Sequence, residues 1–399
     1  MRIGILTFHW ANHFGAVLQA WALVKVLNEI KQEAEIIDFV PSDLYITQSR
    51  IFSLKDVIKK NRILGSSGVS TLYPSFGEIL NYLWLQEHIR SSEYDAFRSK
   101  YLSTSSIFTT NLNELKQECD KYDACVVGSD QVWRADFLKL SGYAYLLPFK
   151  LKHIKIAFSA SVASDILAYP KLIDLYKFAL RDFSFVSIRE DTHAELLSLL
   201  TGRKIYSTLD PSLIVRREEL NSLAAKGNSI PKLGKKYAVV YNLGFSMLPV
   251  AQKLVDELDL PVVIYQKPPL LPFRRSLLYS KYFRDSSTFY HTGPKEIMGL
   301  IKDAEFVITD SYHGALASIQ FEKDFAAIMS KSINYHLTLR FTDLLKKLNL
   351  IDRIVWNSEK NRDCIGNLVN ERTNYISVKK VLKELRKESI ELLKMALLD

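Results

Sequence analysis

The sequence predicts an α/β protein of two Rossmann-like domains, each built on a parallel sheet, facing one another across a cleft. Three observations predict it. Short continuous apolar runs recur along the 399 residues, helical stretches follow them, and a polar segment divides the chain between two such blocks. Unbroken apolarity over a few residues marks strands buried on both faces, and alternation with helices marks the βαβ grammar of doubly wound sheets.

Arg2 to Phe8 reads as the first strand, followed by a polar turn at Asn12 to Gly15. A helix is expected from Ala16 to Ile30, because Val17, Leu18, Trp21, Leu23, Val24 and Leu27 fall at helical spacing. Ala34 to Phe39, closed by Pro41, completes a first βαβ unit. Further strands are expected at Asp123 to Ser129, Lys155 to Ser159, Phe185 to Arg189, Tyr237 to Tyr241, Pro261 to Tyr265 and Glu305 to Asp310. Leu209-Asp210-Pro211-Ser212 and the polar stretch Arg216 to Lys236, with Gly227, Pro231 and Gly234, mark the division. The expected domains are therefore 1–208, with a helical and aromatic insertion at about 43–102, and 209–375. Val378, Val381, Leu382, Leu385, Ile390 and Leu393 then predict a closing amphipathic helix within 376–399.

Composition narrows the function classes. At 48% hydrophobic and 24% charged, the chain is neither disordered nor fibrous. Its three cysteines, Cys119, Cys125 and Cys364, are an odd number without C-x-x-C spacing, which points to a reducing compartment, the cytoplasm. No apolar window approaches the ~18 residues of a membrane span. No Walker A, H-E-x-x-H, G-x-S-x-G or EF-hand pattern occurs, so no metal is expected. The charge of +9 and pI near 9.1 favour acidic partners: nucleic acid, phosphorylated metabolites or an anionic membrane face.

In doubly wound sheets ligands bind outside the carboxyl ends of the strands, so the residues that follow each run are the candidates. Thr309-Asp310-Ser311-Tyr312-His313-Gly314 places His313 at a strand-to-helix turn, where backbone N–H groups and the helix dipole favour anions. His313 there can act as general acid or base, with Asp310 or a carbonyl orienting its ring. The competing structural reading is that Ser311 caps the helix and His313 packs. Asp130, after Val127-Gly128-Ser129, could hold a sugar hydroxyl or act as a base, against a plain capped helix start. Arg189 ends another strand with a planar fork suited to phosphate or carboxylate, against a structural pairing with Glu190 or Asp191. Asn12-His13-Phe14-Gly15-Ala16 is a candidate phosphate or sugar loop that lacks G-x-G-x-x-G, so a dinucleotide is not indicated.

Asn12-His13-Phe14-Gly15-Ala16-Val17-Leu18-Gln19-Ala20, Val127-Gly128-Ser129-Asp130-Gln131-Val132-Trp133, Ser187-Ile188-Arg189-Glu190, Leu209-Asp210-Pro211-Ser212, Thr309 to Gly314 and Arg340-Phe341-Thr342-Asp343-Leu344-Leu345 occur in that order. This order resembles the polysaccharide pyruvyl transferase family, from Met1 to about Leu350. The resemblance implies a fold similar to GT-B glycosyltransferases. It also implies transfer of the enolpyruvyl carbons of phosphoenolpyruvate onto a sugar of a surface-polysaccharide precursor, as a pyruvate ketal. In characterised relatives an Arg-Leu-His triplet and an earlier arginine hold the donor; His313 and Arg189 match the histidine and the earlier arginine. Here the triplet is Ser311-Tyr312-His313, without its arginine, and Arg340 or a lysine such as Lys331 is the expected substitute.

The expected roles are then His313 and Asp130 in catalysis, and Arg189, Ser311, Tyr312, Gly314 and Arg340 on the donor. Asn12, Gly15 and Ser129 are expected on the acceptor. Phosphoenolpyruvate is the expected co-substrate with no cofactor, and a saccharide, lipid-linked at the inner membrane face, the expected acceptor. The basic stretch Lys55 to Arg62 is an expected contact with that face, beside the reading of a solvated helix. Two other readings stand beside this one: a GT-B glycosyltransferase using a sugar nucleotide, and a non-catalytic basic protein. The second lacks any helix-turn-helix, RNP or zinc-finger pattern, so nucleic acid is not an expected partner.

Overall fold

The computed structural model describes residues 1–41, 91–224, 236–265, 282–283, 286–289, 292–330, 335–357 and 362–398. Most of the expected insertion, with Lys55 to Arg62, lies outside them, as do Gly227, Pro231, Gly234 and Lys331.

Two parallel sheets carry the chain. The first holds β1 (Arg2–Leu6), β2 (Glu33–Ile36), β3 (Ala124–Val127), β4 (Ile154–Ala160), β5 (Phe185–Ile188) and β6 (Tyr206–Ser207) in the order β2-β1-β3-β4-β5-β6. The second holds β7 (Ala238–Tyr241), β8 (Val262–Tyr265), β9 (Ser287–Phe289), β10 (Phe306–Thr309), β11 (Asp324–Met329) and β12 (Ile354–Trp356) in the order β12-β11-β10-β7-β8-β9. Each order reverses direction once, at β1/β3 and at β7/β10, which creates the crevice where ligands of such sheets bind. Register is direct at both points: Ile5 lies opposite Val126, and Ile308 opposite Val240.

The apolar runs behave as strands because both faces are covered. Every residue of β3, β5, β7, β8, β10 and β11 is buried. Four strands carry no strong signal in the sequence. β6 and β9 are short, β12 is an edge strand of three residues, and β11 has two alanines, which have weak strand preference.

The first helix, Phe14–Glu29, is buried at every position except Lys25, Asn28 and Glu29. A helix apolar on all sides must lie inside the molecule. This one packs on the helix Pro211–Ile214 and on the helices Pro294–Asp303 and Tyr312–Gln320 of the second sheet. A single apolar cluster therefore runs from Ile3 and Ile5 of the first sheet through Val17 and Trp21 to Val307 and Phe325 of the second.

The closing helix spans Tyr375–Ala396, longer than its apolar stripe, with the Asn374 side chain capping Ser377 N–H. It seals the joint between the sheets. Ser389 Oγ accepts from Leu209 N–H at 3.1 Å, and Arg386 donates to Leu213 O at 2.5 Å and to Gln320 Oε1 at 2.7 Å. Among the described residues no helix is long and apolar enough to cross a membrane.

Candidate active site

The carboxyl ends of β1, β3, β5 and β10 converge where the sheets face each other, and Arg189 is the centre of the convergence. Its guanidinium is 1% exposed. Nε and Nη2 donate to Ser129 Oγ at 2.8 and 2.6 Å, and Nε also to Ser159 O at 3.2 Å. Nη2 faces Asp210 Oδ2 at 2.8 Å, and Nη1 lies 3.9 Å from Asp130 Oδ1. Burial opposes the guanidinium charge, but Asp210 and Asp130 outweigh it and raise its pKa, so the cation persists. A structural pairing with Glu190 or Asp191 is not what forms. Glu190 accepts from Ser161, and Asp191 pairs with Lys347.

Asp210 is the residue whose role the sequence does not announce. It follows the short β6 and caps the helix Pro211–Ile214, Oδ1 accepting from Ser212 N–H at 2.8 Å and Ser212 Oγ at 2.6 Å. Asp followed by Pro at the first helical position is the local signal for that cap. Its other oxygen faces both Arg189 and His313 Nε2, the latter at 3.4 Å. Burial pushes this carboxyl up, yet Arg189, His313 and Ser212 together hold it well below the usual carboxylate range. Asp310, expected as an orienting acid, instead accepts Gly244 N–H at 2.8 Å and ties β10 to the loop after β7.

His313 sits in the first turn of the helix Tyr312–Gln320, whose cap is Ser311, Oγ accepting from Gly314 N–H at 3.3 Å. Both structural expectations for this turn hold at once: Ser311 caps, and His313 is 3% exposed. The ring lies flat against Gly15, the second residue of the helix Phe14–Glu29. A Cβ at Gly15 would stand 2.0 Å from His313 Nδ1 and 2.4 Å from Cγ. Gly15→Ala should therefore displace the imidazole, with a stability loss of about 1–3 kcal/mol from overpacking. Denaturant titration of the variant is the measurement; a stability equal to the parent's would refute the contact.

Tyr312 is buried, and its phenol is pushed up by desolvation, so it stays neutral. Its ring carries two cations: the Arg189 guanidinium carbon lies 5.5 Å from the centroid and that of Arg340 5.3 Å. Arg340 comes from the helix Tyr335–Lys347. Burial lowers its pKa, and among the described residues its Nε is a buried donor with no hydrogen-bond partner, as is Nη1 of Arg189, whose nearest carboxylate, Asp130, stands 3.9 Å away. A buried donor left unmade costs about 1–3 kcal/mol, more when charged, a cost that an anion accepting from both groups would remove.

Asp130 and Ser129 follow β3. Ser129 is fully buried and donates to Ser159 O at 2.7 Å while accepting from Arg189, which makes it the arginine's support. Asp130 is 12% exposed in its side chain and accepts Gln131 N–H at 2.8 Å, leaving it at the edge of the site. Asn12 is tied to the helical residues 91–101, accepting from Arg98 at 2.9 Å and donating to Ser91 at 3.3 Å. Gly314 packs against Tyr241 and Thr309, where a Cβ would meet atoms at 2.7 and 2.8 Å.

Solved structures share this architecture at low identity. S. aureus MnaA in a co-structure with UDP is 11% identical, with 97% of this chain and 90% of that one covered and a TM-score of 0.51. Arabidopsis thaliana UGT89C1 complexed with UDP-L-rhamnose is 11% identical over 99% of both chains, TM-score 0.50. A mutant of Thermobaculum terrenum O-GlcNAc transferase is 10% identical over 99% of this chain and 66% of its own, TM-score 0.50. These likenesses show the fold, that of GT-B glycosyltransferases. No curated protein matches the chain. The model of the family described as polysaccharide pyruvyl transferase matches residues 13–332, from the turn before Gly15 past His313, and the chain therefore belongs to the polysaccharide pyruvyl transferase family.

Proposed function

We propose that the protein transfers the enolpyruvyl group of phosphoenolpyruvate onto a sugar of a surface-polysaccharide precursor, forming a pyruvate ketal and releasing phosphate. One observation carries the reading: Arg189 and Arg340 flank Tyr312, each with a buried donor that no described residue engages in a hydrogen bond, beside the His313–Asp210 pair. The donor bears a phosphate and a carboxylate, and two planar guanidinium forks suit that pair of anions. Arg340 supplies from a separate helix the cation missing at position 311.

In the proposed reaction His313 protonates the methylene carbon of the donor, and a sugar hydroxyl adds to the adjacent cationic carbon. Asp130, at the edge of the site, takes the hydroxyl proton. The C–O bond to phosphate then breaks, and a second hydroxyl closes the ketal, giving its proton to the departing phosphate. The net change is redox-neutral and calls for no electron-carrying cofactor. The turn residues Ser311 and Gly314 shape the donor seat. Gly15 and Asn12 border the acceptor side, and Ser129 acts there by holding Arg189. A lipid-linked acceptor at the inner membrane face remains part of this proposal, supported by the basic charge.

Labelled phosphoenolpyruvate with a saccharide acceptor should yield a labelled ketal and one phosphate per turnover. Release of a nucleoside diphosphate from a sugar nucleotide, without ketal, would overturn the proposal in favour of a glycosyltransferase. Arg340→Gln should raise KM for phosphoenolpyruvate about 10- to 100-fold, the value of a charged hydrogen bond, with Arg340→Lys intermediate. An unchanged KM would remove Arg340 from the donor seat.

A further inference from the structure

The helix Tyr335–Lys347 carries His336, Arg340, Asp343 and Lys347 at spacings that put them on one face, while Leu339, Phe341, Leu344 and Leu345 are buried on the other. Every polar member of that stripe engages the first sheet's domain or the site itself. His336 Nδ1 lies 3.2 Å from Nε2 of His193, and its Nε2 lies 3.6 Å from Asp165 Oδ1. Asp343 accepts the N–H and hydroxyl of Thr192 at 3.1 and 3.3 Å. Lys347 pairs with Asp191 at 2.6 Å and donates to Ser207 Oγ at 3.0 Å. Arg340 lies between these contacts, over Tyr312.

We infer that Asp343 and Lys347 are positioning residues: by docking the helix Tyr335–Lys347 on Asp191, Thr192 and Ser207, they hold the Arg340 guanidinium at the donor seat. What Arg340 binds there rests on the proposed donor; the docking itself does not. The contacts sit near the surface, where such pairs are individually weak. A helix held this way opens locally more readily than the strands beneath it, and the donor meets a complete seat only while the helix is docked. Apparent donor affinity then scales with the docked fraction, whereas turnover of the saturated enzyme does not, because bound donor itself favours docking.

The test is Asp343→Asn combined with Lys347→Met in the full chain. KM for phosphoenolpyruvate should rise about 3- to 30-fold, the range two such pairs allow, with kcat within about twofold. The single Asp343→Glu variant, which keeps the charge, should stay near the parent value. In an Arg340→Gln background the same pair of changes should add less than about twofold, since the group being positioned is gone. Equal effects in both backgrounds would overturn the inference. Amide hydrogen exchange decides the docking independently of any donor: exchange of the helix Tyr335–Lys347 should quicken in the double variant while that of Tyr312–Gln320 stays unchanged. Unaltered exchange would overturn the docking role even if phosphoenolpyruvate is the donor. A parent enzyme that ignores phosphoenolpyruvate would sink the donor reading while leaving the exchange result to stand or fall by itself.

Discussion

His313→Ala should lower the rate of the proposed enolpyruvyl transfer by at least about 10²-fold, the usual contribution of a positioned acid or base. The fold should survive the change, because Arg189 keeps its 2.8 Å partner in Asp210 and its support in Ser129 when the imidazole is removed. The apolar cluster that joins the sheets passes through Leu316 and Ile319 of the same helix and does not depend on the ring. His313→Gln is the companion variant: it fills part of the space against Gly15 but cannot deliver a proton at neutral pH. Both variants should lose turnover together while retaining donor affinity within about tenfold, since Arg189 and Arg340 remain. Near-normal kcat in either one would exclude His313 as the acid, whatever its position.

The strands were legible because burial on both faces leaves an unbroken apolar run, as at Ala124–Val127 and Phe306–Thr309. The helix Phe14–Glu29 was equally plain. The rule that ligands gather at strand ends then selected Arg189, Asp130 and His313 without any knowledge of their distances. The sequence did not reveal that Arg189 and His313 share one carboxylate, because the three residues stand in segments far apart in the chain and local spacing holds no record of their meeting. Leu209 to Ser212 reads as a division between the domains, and the structure shows Asp210 there as a helix cap; that its second oxygen faces a cation and an imidazole is a product of tertiary packing. The same holds for Arg340. Its neighbours Asp343 and Leu344 give an ordinary amphipathic helix, and only the meeting of that helix with the one that begins at Asp191 makes its polar face a set of contacts across the domains.

Asp210→Asn should cost about 3–5 kcal/mol of stability, the penalty for leaving a buried charge without its partner. Arg189 at 1% exposure has no solvent to turn to, and Asp130 at 3.9 Å is too distant to replace a partner at 2.8 Å. Against a total stability of about 5–15 kcal/mol, the variant should remain folded at 25 °C but with a much reduced margin. The pH dependence separates this cause from a packing defect. The Asp210 carboxyl of the folded protein titrates well below the unfolded value of about 3.9. As pH falls, the unfolded chain therefore takes up the proton first. The stabilisation is complete above the unfolded pKa, weakens below about pH 4 and vanishes only once the folded carboxyl is itself protonated. The difference in unfolding free energy between parent and variant should thus be largest near pH 7 and shrink steadily below pH 4. Denaturant titrations at the two pH values measure it, and a gap that stays constant would show that lost packing rather than lost charge accounts for the defect. Activity should fall beyond what the folded fraction explains, because one oxygen of Asp210 faces both Arg189 and His313, the residues to which donor binding and proton transfer are proposed to fall. Restoring stability with a ligand or an osmolyte should then recover the fold of the variant without recovering its kcat.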